Sequence, residues 1–154
     1  MQINTIRVEP NDKRLYDLEI KVSITTPSLL RPGIPEEFTN FLSANGNVET
    51  YLWKNENNID IGYLAISEID QKIKLEIRSI AVKPEFQTIG IGTTMMQYAE
   101  LKAKQKNISN LLLATSPNNI IALSFYKKLG YKITKSAENY YGDGTPRLIL
   151  EKNV

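Results

Sequence analysis

The sequence contains no cysteine and no histidine. Without cysteine there is no disulfide, no thiolate nucleophile and no thiolate-held metal. Without histidine the chain lacks the commonest metal ligand and the commonest general base near neutral pH. Acid–base chemistry falls to carboxylates, tyrosines, lysines, waters or backbone groups, and no metal site is expected. No apolar run approaches the roughly 20 residues of a membrane span. Met1 to Pro10 carry polar and acidic side chains rather than the apolar stretch of a signal peptide. A cytoplasmic protein with no membrane association is the expectation. A formal net charge of +2 is too small to indicate nucleic acid as a partner. Lys102, Lys104 and Lys106 gather near the end of an expected helix, where cations suit the dipole, and read as a solvated helix end.

What is present suits one domain spanning residues 1–154, long enough to bury a real core. Ile3, Ile6 and Val8 mark a short strand. Leu15, Leu18 and Val22 then recur at helical spacing, which predicts a helix over about 12–24 that Thr26-Pro27 stops. Residues 29–35 form a proline-rich loop, and Pro35 with Glu36 and Glu37 opens a second helix to about Ser43. Three strands follow, at 48–54, 59–69 and 71–82, with turns short enough for an antiparallel meander. In the third, Lys72, Lys74, Glu76 and Arg78 alternate with Ile73, Leu75 and Ile77. Then the period changes. Residues 90–106 read as a helix, 111–114 as a strand buried on both faces, and 118–129 as a helix that Gly130 caps. Strands at 131–136 and 147–151 close a mixed α/β domain, an antiparallel meander leading into a βαβ crossover.

Between the meander and the first crossover helix lies Gln87-Thr88-Ile89-Gly90-Ile91-Gly92-Thr93. A helix N-terminus offers free N–H groups and a positive partial charge, so it can hold a phosphate without a basic side chain. Glycines at 90 and 92 allow the backbone to approach an anion closely. A Walker A loop is excluded, because no lysine follows Gly92. A dinucleotide-binding fingerprint is excluded by Met95, where a third glycine is required. Two readings of residues 87–92 remain: an anion-binding loop and a plain strand-to-helix turn.

The spacing Gln-x-x-Gly-x-Gly resembles the pyrophosphate loop of the GNAT N-acetyltransferases, with Gln87, Gly90 and Gly92 at its fixed positions. A second resemblance lies downstream. In that family the next helix opens Asn-x-x-Ala-x-x-Phe/Leu-Tyr and closes near Gly-Phe/Tyr, and Asn119, Ala122, Phe125, Tyr126, Gly130 and Tyr131 match. The likeness covers residues 75–132 closely. It implies a GNAT fold, an α+β arrangement with a mixed sheet of about seven strands and about four helices. It also implies acetyl-CoA as co-substrate, no metal, and transfer of an acetyl group to an amine.

The resemblance assigns roles residue by residue. The backbone of Ile80, Ala81 and Val82 would hold the pantetheine arm. The loop from Gln87 through Thr88, Ile89, Gly90, Ile91 and Gly92 to Thr93 would hold the pyrophosphate, with Asn119 and Phe125 completing the coenzyme site. Tyr126 sits where the family places a tyrosine beside the coenzyme sulfur, as an acid for the departing thiolate. The competing view of Tyr126 is simple core, since Ala122, Phe125, Tyr126 and Leu129 form one helical stripe. Glu76 occupies a strand position from which many members project a base. Its alternative is an exposed ion pair between Lys74 and Arg78, worth well under about 1 kcal/mol.

The acceptor is read from Tyr140-Tyr141-Gly142-Asp143-Gly144. This resembles the loop that closes over the peptide in protein N-terminal acetyltransferases of the archaeal and ribosomal-protein type. Its plain alternative is a hairpin turn. Tyr140 and Tyr141 would line the acceptor cleft, opposite Leu30 and Ile34. One departure stands out: some N-terminal acetyltransferases carry a histidine where this chain has Ala114. A protein N-terminus is therefore the expected acceptor, with a polyamine, another small amine or a protein lysine as rivals. A non-catalytic acetyl-CoA sensor is the alternative from another class. A monomer or homodimer is expected.

Overall fold

The computed structural model describes residues 1–25 and 33–154, so Leu30 and its neighbours lie outside the described residues. The described elements, in order, are β1 (Ile3–Val8), α1 (Lys13–Thr25), α2 (Pro35–Ser43), β2 (Val48–Asn55), β3 (Asp60–Ile69), β4 (Lys74–Val82), α3 (Ile91–Gln105), β5 (Asn110–Thr115), α4 (Ile120–Lys128), β6 (Lys132–Ala137) and β7 (Arg147–Asn153). The strands make one seven-stranded sheet in the order β1-β2-β3-β4-β5-β7-β6. The pairs from β1 to β4 are antiparallel, β4 and β5 are parallel, and β7 returns antiparallel between β5 and β6. The mixed sheet and the described helices are those the sequence predicts.

Each face of the sheet carries its own core. Leu15, Leu18, Phe38 and Leu42 of α1 and α2 pack on Leu52, Tyr63, Ala65 and Ala81. Ile91, Met95, Met96 and Ala99 of α3, with Leu123 and Tyr126 of α4, pack on Leu64, Ile66, Leu75, Leu111 and Leu113. The helical spacing of these residues is what allows each helix to bury one stripe. Asp12 opens α1 by accepting the Arg14 amide at 3.0 Å. Gly130, at φ 92, closes α4: its N–H bonds Lys127 O at 3.0 Å and the Tyr131 N–H bonds Tyr126 O at 3.1 Å, a Schellman closure.

Two details of β4 differ from expectation. The strand begins at Lys74 rather than Gln71, because Asp70, Gln71 and Lys72 all have positive φ and form the turn. Ile73 is accordingly exposed instead of sharing the face of Leu75 and Ile77. Further along, Ala65 pairs with Ser79 while Ile66 pairs with Ile77, so Arg78 is the extra residue of a bulge. A bulge re-aims the side chains that follow it. Leu75 and Ile77 face the α3 core before it, and Ile80 and Val82 pack on that same core after it.

The lysine cluster is also not a solvated helix end. Lys106 Nζ bonds Glu49 at 2.6 Å and Glu68 at 2.9 Å. Lys102 Nζ sits 5.2 Å from the Tyr51 ring centroid and 5.3 Å from that of Tyr98. Two of the three cations therefore fasten α3 to the sheet, and Lys104 alone stays exposed.

Candidate active site

Strands β4 and β5 pair only at Lys74, Leu75 and Glu76, opposite Asn110, Leu111 and Leu112. Beyond that point the two halves of the sheet part. A cleft of about 1190 Å³ runs through the gap. It begins at the N-terminus of α3, passes between Ile80–Val82 and Leu113–Ser116, and ends against α1, α2 and the segment between β6 and β7.

The α3 end contains the glycine loop. Gly90 is the N-cap at φ 90, a left-handed conformation that suits glycine and turns the first amides of α3 outward. Gly92 borders Phe125 of α4, whose ring would meet any Cβ placed there at 3.3 Å. Gln87, Thr88, Gly90, Gly92 and Thr93 all line the cleft. The side chain of Gln87 donates to Val82 O at 2.8 Å, so it braces the loop against β4. The side chain of Ile91 is buried in the core, which leaves only its backbone for a ligand, and the exposed Ile89 is not among the lining residues. Asn119 caps α4 by accepting the Ala122 amide at 3.2 Å, and it lines the cleft together with Phe125 and Tyr126.

Tyr126 stands where the sheet parts. Burial raises its phenol well above the ordinary value, so it stays protonated at neutral pH. Its ring packs at 5.2 Å on Phe125 and at 6.2 Å on Tyr131. The core view and the acid view of this residue are thus compatible: the ring is packed while the residue borders the cleft.

Glu76 lies elsewhere. It is 1% exposed and is not among the lining residues of the large cleft. It accepts hydrogen bonds from Asn45 Nδ2 and, at 2.7 Å, from Tyr140 Oη, and its carboxylate is 3.6 Å from the Arg78 guanidinium. Glu76 and Tyr140 border a second, polar recess of about 570 Å³. Tyr140, unlike Tyr141, therefore does not line the large cleft as expected, because its hydroxyl is turned to the Glu76 carboxylate. The expected exposed ion pair with Lys74 is not formed either, since Lys74 turns to Glu151 at 3.0 Å. Ile34 is exposed and does not line the cleft.

The far end of the cleft is aromatic and bounded by two arginines. Tyr141 meets Phe41 edge-on, with ring centroids 5.1 Å apart. The Arg78 guanidinium lies 4.3 Å from the Phe41 centroid and 5.0 Å from that of Tyr141, and its Nε donates to Phe41 O at 2.8 Å. Arg147 approaches the Tyr141 ring at 5.4 Å. The Tyr141 phenol is pushed up to about 12, first by burial and then by the Glu76 charge.

Sequence reasoning missed Glu19. On α1 it falls inside the apolar stripe, four residues after Leu15 and three before Val22, and it is 8% exposed. Its carboxylate accepts a hydrogen bond from Tyr63 Oη, which also shares a 2.6 Å hydrogen bond with Ser79 Oγ. Burial raises its pKa, while the Tyr63 bond opposes the rise. Glu19 and Ser79 both line the large cleft. A carboxylate at a core-facing position of an amphipathic helix is the signal that could have revealed it.

Residues 16–131 match the Acetyltransferase (GNAT) family. The chain belongs to that family. An N-alpha-acetyltransferase of Sulfurisphaera tokodaii is 34% identical over 110 residues, covering 70% of this chain and 64% of the relative. A putative [ribosomal protein bS18]-alanine N-acetyltransferase of Bacillus subtilis is 28% identical over 89% of each chain. Among solved structures, a GNAT family acetyltransferase from Elizabethkingia anophelis with acetyl-CoA bound superposes with a TM-score of 0.76 at 27% identity, covering 99% of this chain and 98% of that one. Ard1 from Thermoplasma volcanium shares the fold, with a TM-score of 0.78 at 18% identity.

The cleft of this GNAT chain fits such a donor. Its volume exceeds the few hundred Å³ that a small ligand needs. Its α3 end offers backbone amides to a pyrophosphate, and among the described residues no lysine lines it. The parted edge of β4 leaves the backbone groups of Ile80 to Val82 without a β5 partner. Among the described residues no group of three or more metal-ligating side chains comes together, and no helix is long and apolar enough to cross a membrane.

Proposed function

We propose that residues 1–154 form one acetyltransferase domain that moves the acetyl group of acetyl-CoA to the α-amine of a protein or peptide N-terminus. The N-terminus of α3 holds the pyrophosphate, the parted edge of β4 holds the pantetheine arm, and Tyr126 protonates the departing thiolate. Holding donor and amine together supplies much of the rate, since oriented reactions reach effective molarities of about 10⁵ M or more.

The observation that carries the choice of acceptor is the position of Tyr141. It walls the end of the cleft against Phe41, while Tyr140 ties the same segment to Glu76. An aromatic wall with phenol groups suits an extended peptide, whose backbone offers both donors and acceptors. At this end Arg78 and Arg147 share the lining with Glu19, Glu37 and Asp143, so the choice of a peptide rests on the aromatic wall rather than on charge. Of the carboxylates nearby, Glu37 is engaged by the Gly33 amide at 3.1 Å and Asp143 by the Thr145 amide at 3.0 Å and hydroxyl at 2.7 Å.

The test is release of free thiol from acetyl-CoA with three acceptor classes: peptides with free N-termini, spermidine, and N-terminally blocked peptides containing lysine. Release stimulated by free N-termini alone is the expected result. Stimulation by spermidine alone removes the N-terminal reading, and no stimulation by any class replaces it with a binding module.

A further inference from the structure

We propose that Ser79, Tyr63 and Glu19 form a proton relay that takes the ammonium proton of the acceptor, with Glu19 as the terminal base. This rests on the acetyl-transfer reading above and adds the base that reading lacks.

The need for a second group is chemical. An amine attacks a thioester only as the free base, and most of it is protonated at neutral pH. Glu76 is turned away, with Asn45, Tyr140 and Arg78 around its carboxylate. Ala114 stands where a histidine would serve in related enzymes, and the chain has none.

The relay has the connectivity the task requires. A phenol has one hydrogen, and Tyr63 gives it to the Glu19 carboxylate. The 2.6 Å bond between Tyr63 and Ser79 must then run from the serine hydroxyl to the phenol oxygen. That leaves the lone pairs of Ser79 Oγ free to accept from the cleft, which Ser79 lines. When a proton enters at Ser79, each bond reverses: Ser79 passes its hydrogen to Tyr63, Tyr63 passes its own to Glu19, and the carboxylate ends neutral.

The position is also right. Ser79 follows the bulge at Arg78 and lies three residues beyond Glu76, the last β4 residue paired with β5, so it sits on the parted stretch of β4. Ser79, Glu19 and Tyr126 all line the same cleft, so acid and base open onto one space. Tyr63 on β3 contacts Glu19 directly, and the charged and titratable groups that share the lining of the cleft with Glu19 are Glu37 on α2, Arg78 on β4, Tyr126 on α4, Tyr141, Asp143 and Arg147. Of these it is Tyr63 that donates to the Glu19 carboxylate. Burial raises the Glu19 pKa, which brings a carboxylate toward the strength of a useful base.

The balance is complete. The ammonium loses one proton to the relay, and its lone pair forms the C–N bond as the C–S bond breaks. Tyr126 protonates the thiolate and regains a proton from the nitrogen, which leaves as a neutral amide. Glu19 releases the remaining proton to solvent after the products depart.

The experiment starts with the wild-type chain, acetyl-CoA, and peptides beginning with Met, Ser, Ala, Thr and Glu. If spermidine is acetylated and the peptides are not, the N-terminal reading falls and the relay is tested with spermidine; if nothing is acetylated, both fall. With the active acceptor, Glu19→Gln and Tyr63→Phe each lower kcat/KM by about 100-fold or more. Both leave the affinity for acetyl-CoA unchanged. The rise of kcat/KM with pH that Glu19 controls, centred above the ordinary carboxylate range, vanishes in Glu19→Gln. A wild-type pH profile with a wild-type rate in either variant overturns the relay. Should Glu19→Gln fail to unfold cooperatively, Tyr63→Phe and Ser79→Ala decide by the same readouts.

Discussion

The Cζ atom of Phe125 lies 3.3 Å from where a Cβ on Gly92 would sit, so a residue of the glycine loop and a residue of the α4 motif share one contact. The contact joins the two motifs in space. The glycine admits the ring as well as an anion. Gly92→Ala must displace Phe125 by a few tenths of an ångström, and such overpacking costs about 1 kcal/mol or more. Its affinity for acetyl-CoA should fall along with its Tm. The double variant Gly92→Ala/Phe125→Leu, which removes the colliding atom, should recover most of the stability. Thermal unfolding and titration with acetyl-CoA measure both effects.

Tyr126 combines a packed ring with a hydroxyl held protonated by burial. Tyr126→Phe keeps the packing and removes the acid. Turnover should drop by about 100-fold, while acetyl-CoA affinity stays near that of the wild type. Because the phenol ionises only far above neutrality, it should impose no alkaline decline on the rate below about pH 10. Steady-state kinetics across pH, with direct binding of the donor, check the split.

Much of this architecture is legible in the amino-acid sequence. Helical spacing locates Leu15, Leu18 and Val22 on the buried stripe of α1, and the paired motifs locate the cleft. The bulge is written in the chain as well: apolar residues of β4 fall at 75 and 77, then at 80 and 82. Alternation alone does not say which face each parity meets, so it leaves the burial of Glu76 and Arg78 hidden. The turn at Asp70, Gln71 and Lys72 escapes notice because none of the three is glycine, although all have positive φ. Glu19 escapes for a different reason. A carboxylate within an apolar stripe signals burial, but its partner Tyr63 is 44 residues away, and only the sheet brings them together.

Six tyrosines, at 51, 63, 126, 131, 140 and 141, have phenols raised by burial above all. In the unfolded chain they ionise near pH 10, roughly their ordinary value. A raised native pKa means that the unfolded state loses its protons first. The stability these groups contribute is therefore complete below about pH 10 and is lost as the pH rises beyond it. Urea unfolding midpoints should hold steady through neutral pH and then fall in alkali. Tyr126→Phe should fall less steeply, because one of the coupled groups is gone. An equal decline in wild type and variant would show that Tyr126 does not contribute.

Glu76 anchors the segment after β6 from below, through the 2.7 Å bond from Tyr140 and its proximity to Arg78. Both neighbours reach the acceptor end by way of Tyr141. Removing the carboxylate strands a buried guanidinium, at a cost of about 3–5 kcal/mol for Glu76→Ala. Glu76→Gln keeps the shape and can still accept from Tyr140, but it also removes the counter-charge of Arg78 and turns an NH2 toward the Asn45 donor. Its cost should therefore lie near the lower end of that range, about 3 kcal/mol. In kinetics, Glu76→Gln should raise the KM for the acceptor as the segment loosens. The pH dependence of kcat/KM should keep its shape, because Glu76 does not border the cleft. Loss of the acidic limb in Glu76→Gln, with the limb retained in Glu19→Gln, would return the base to β4.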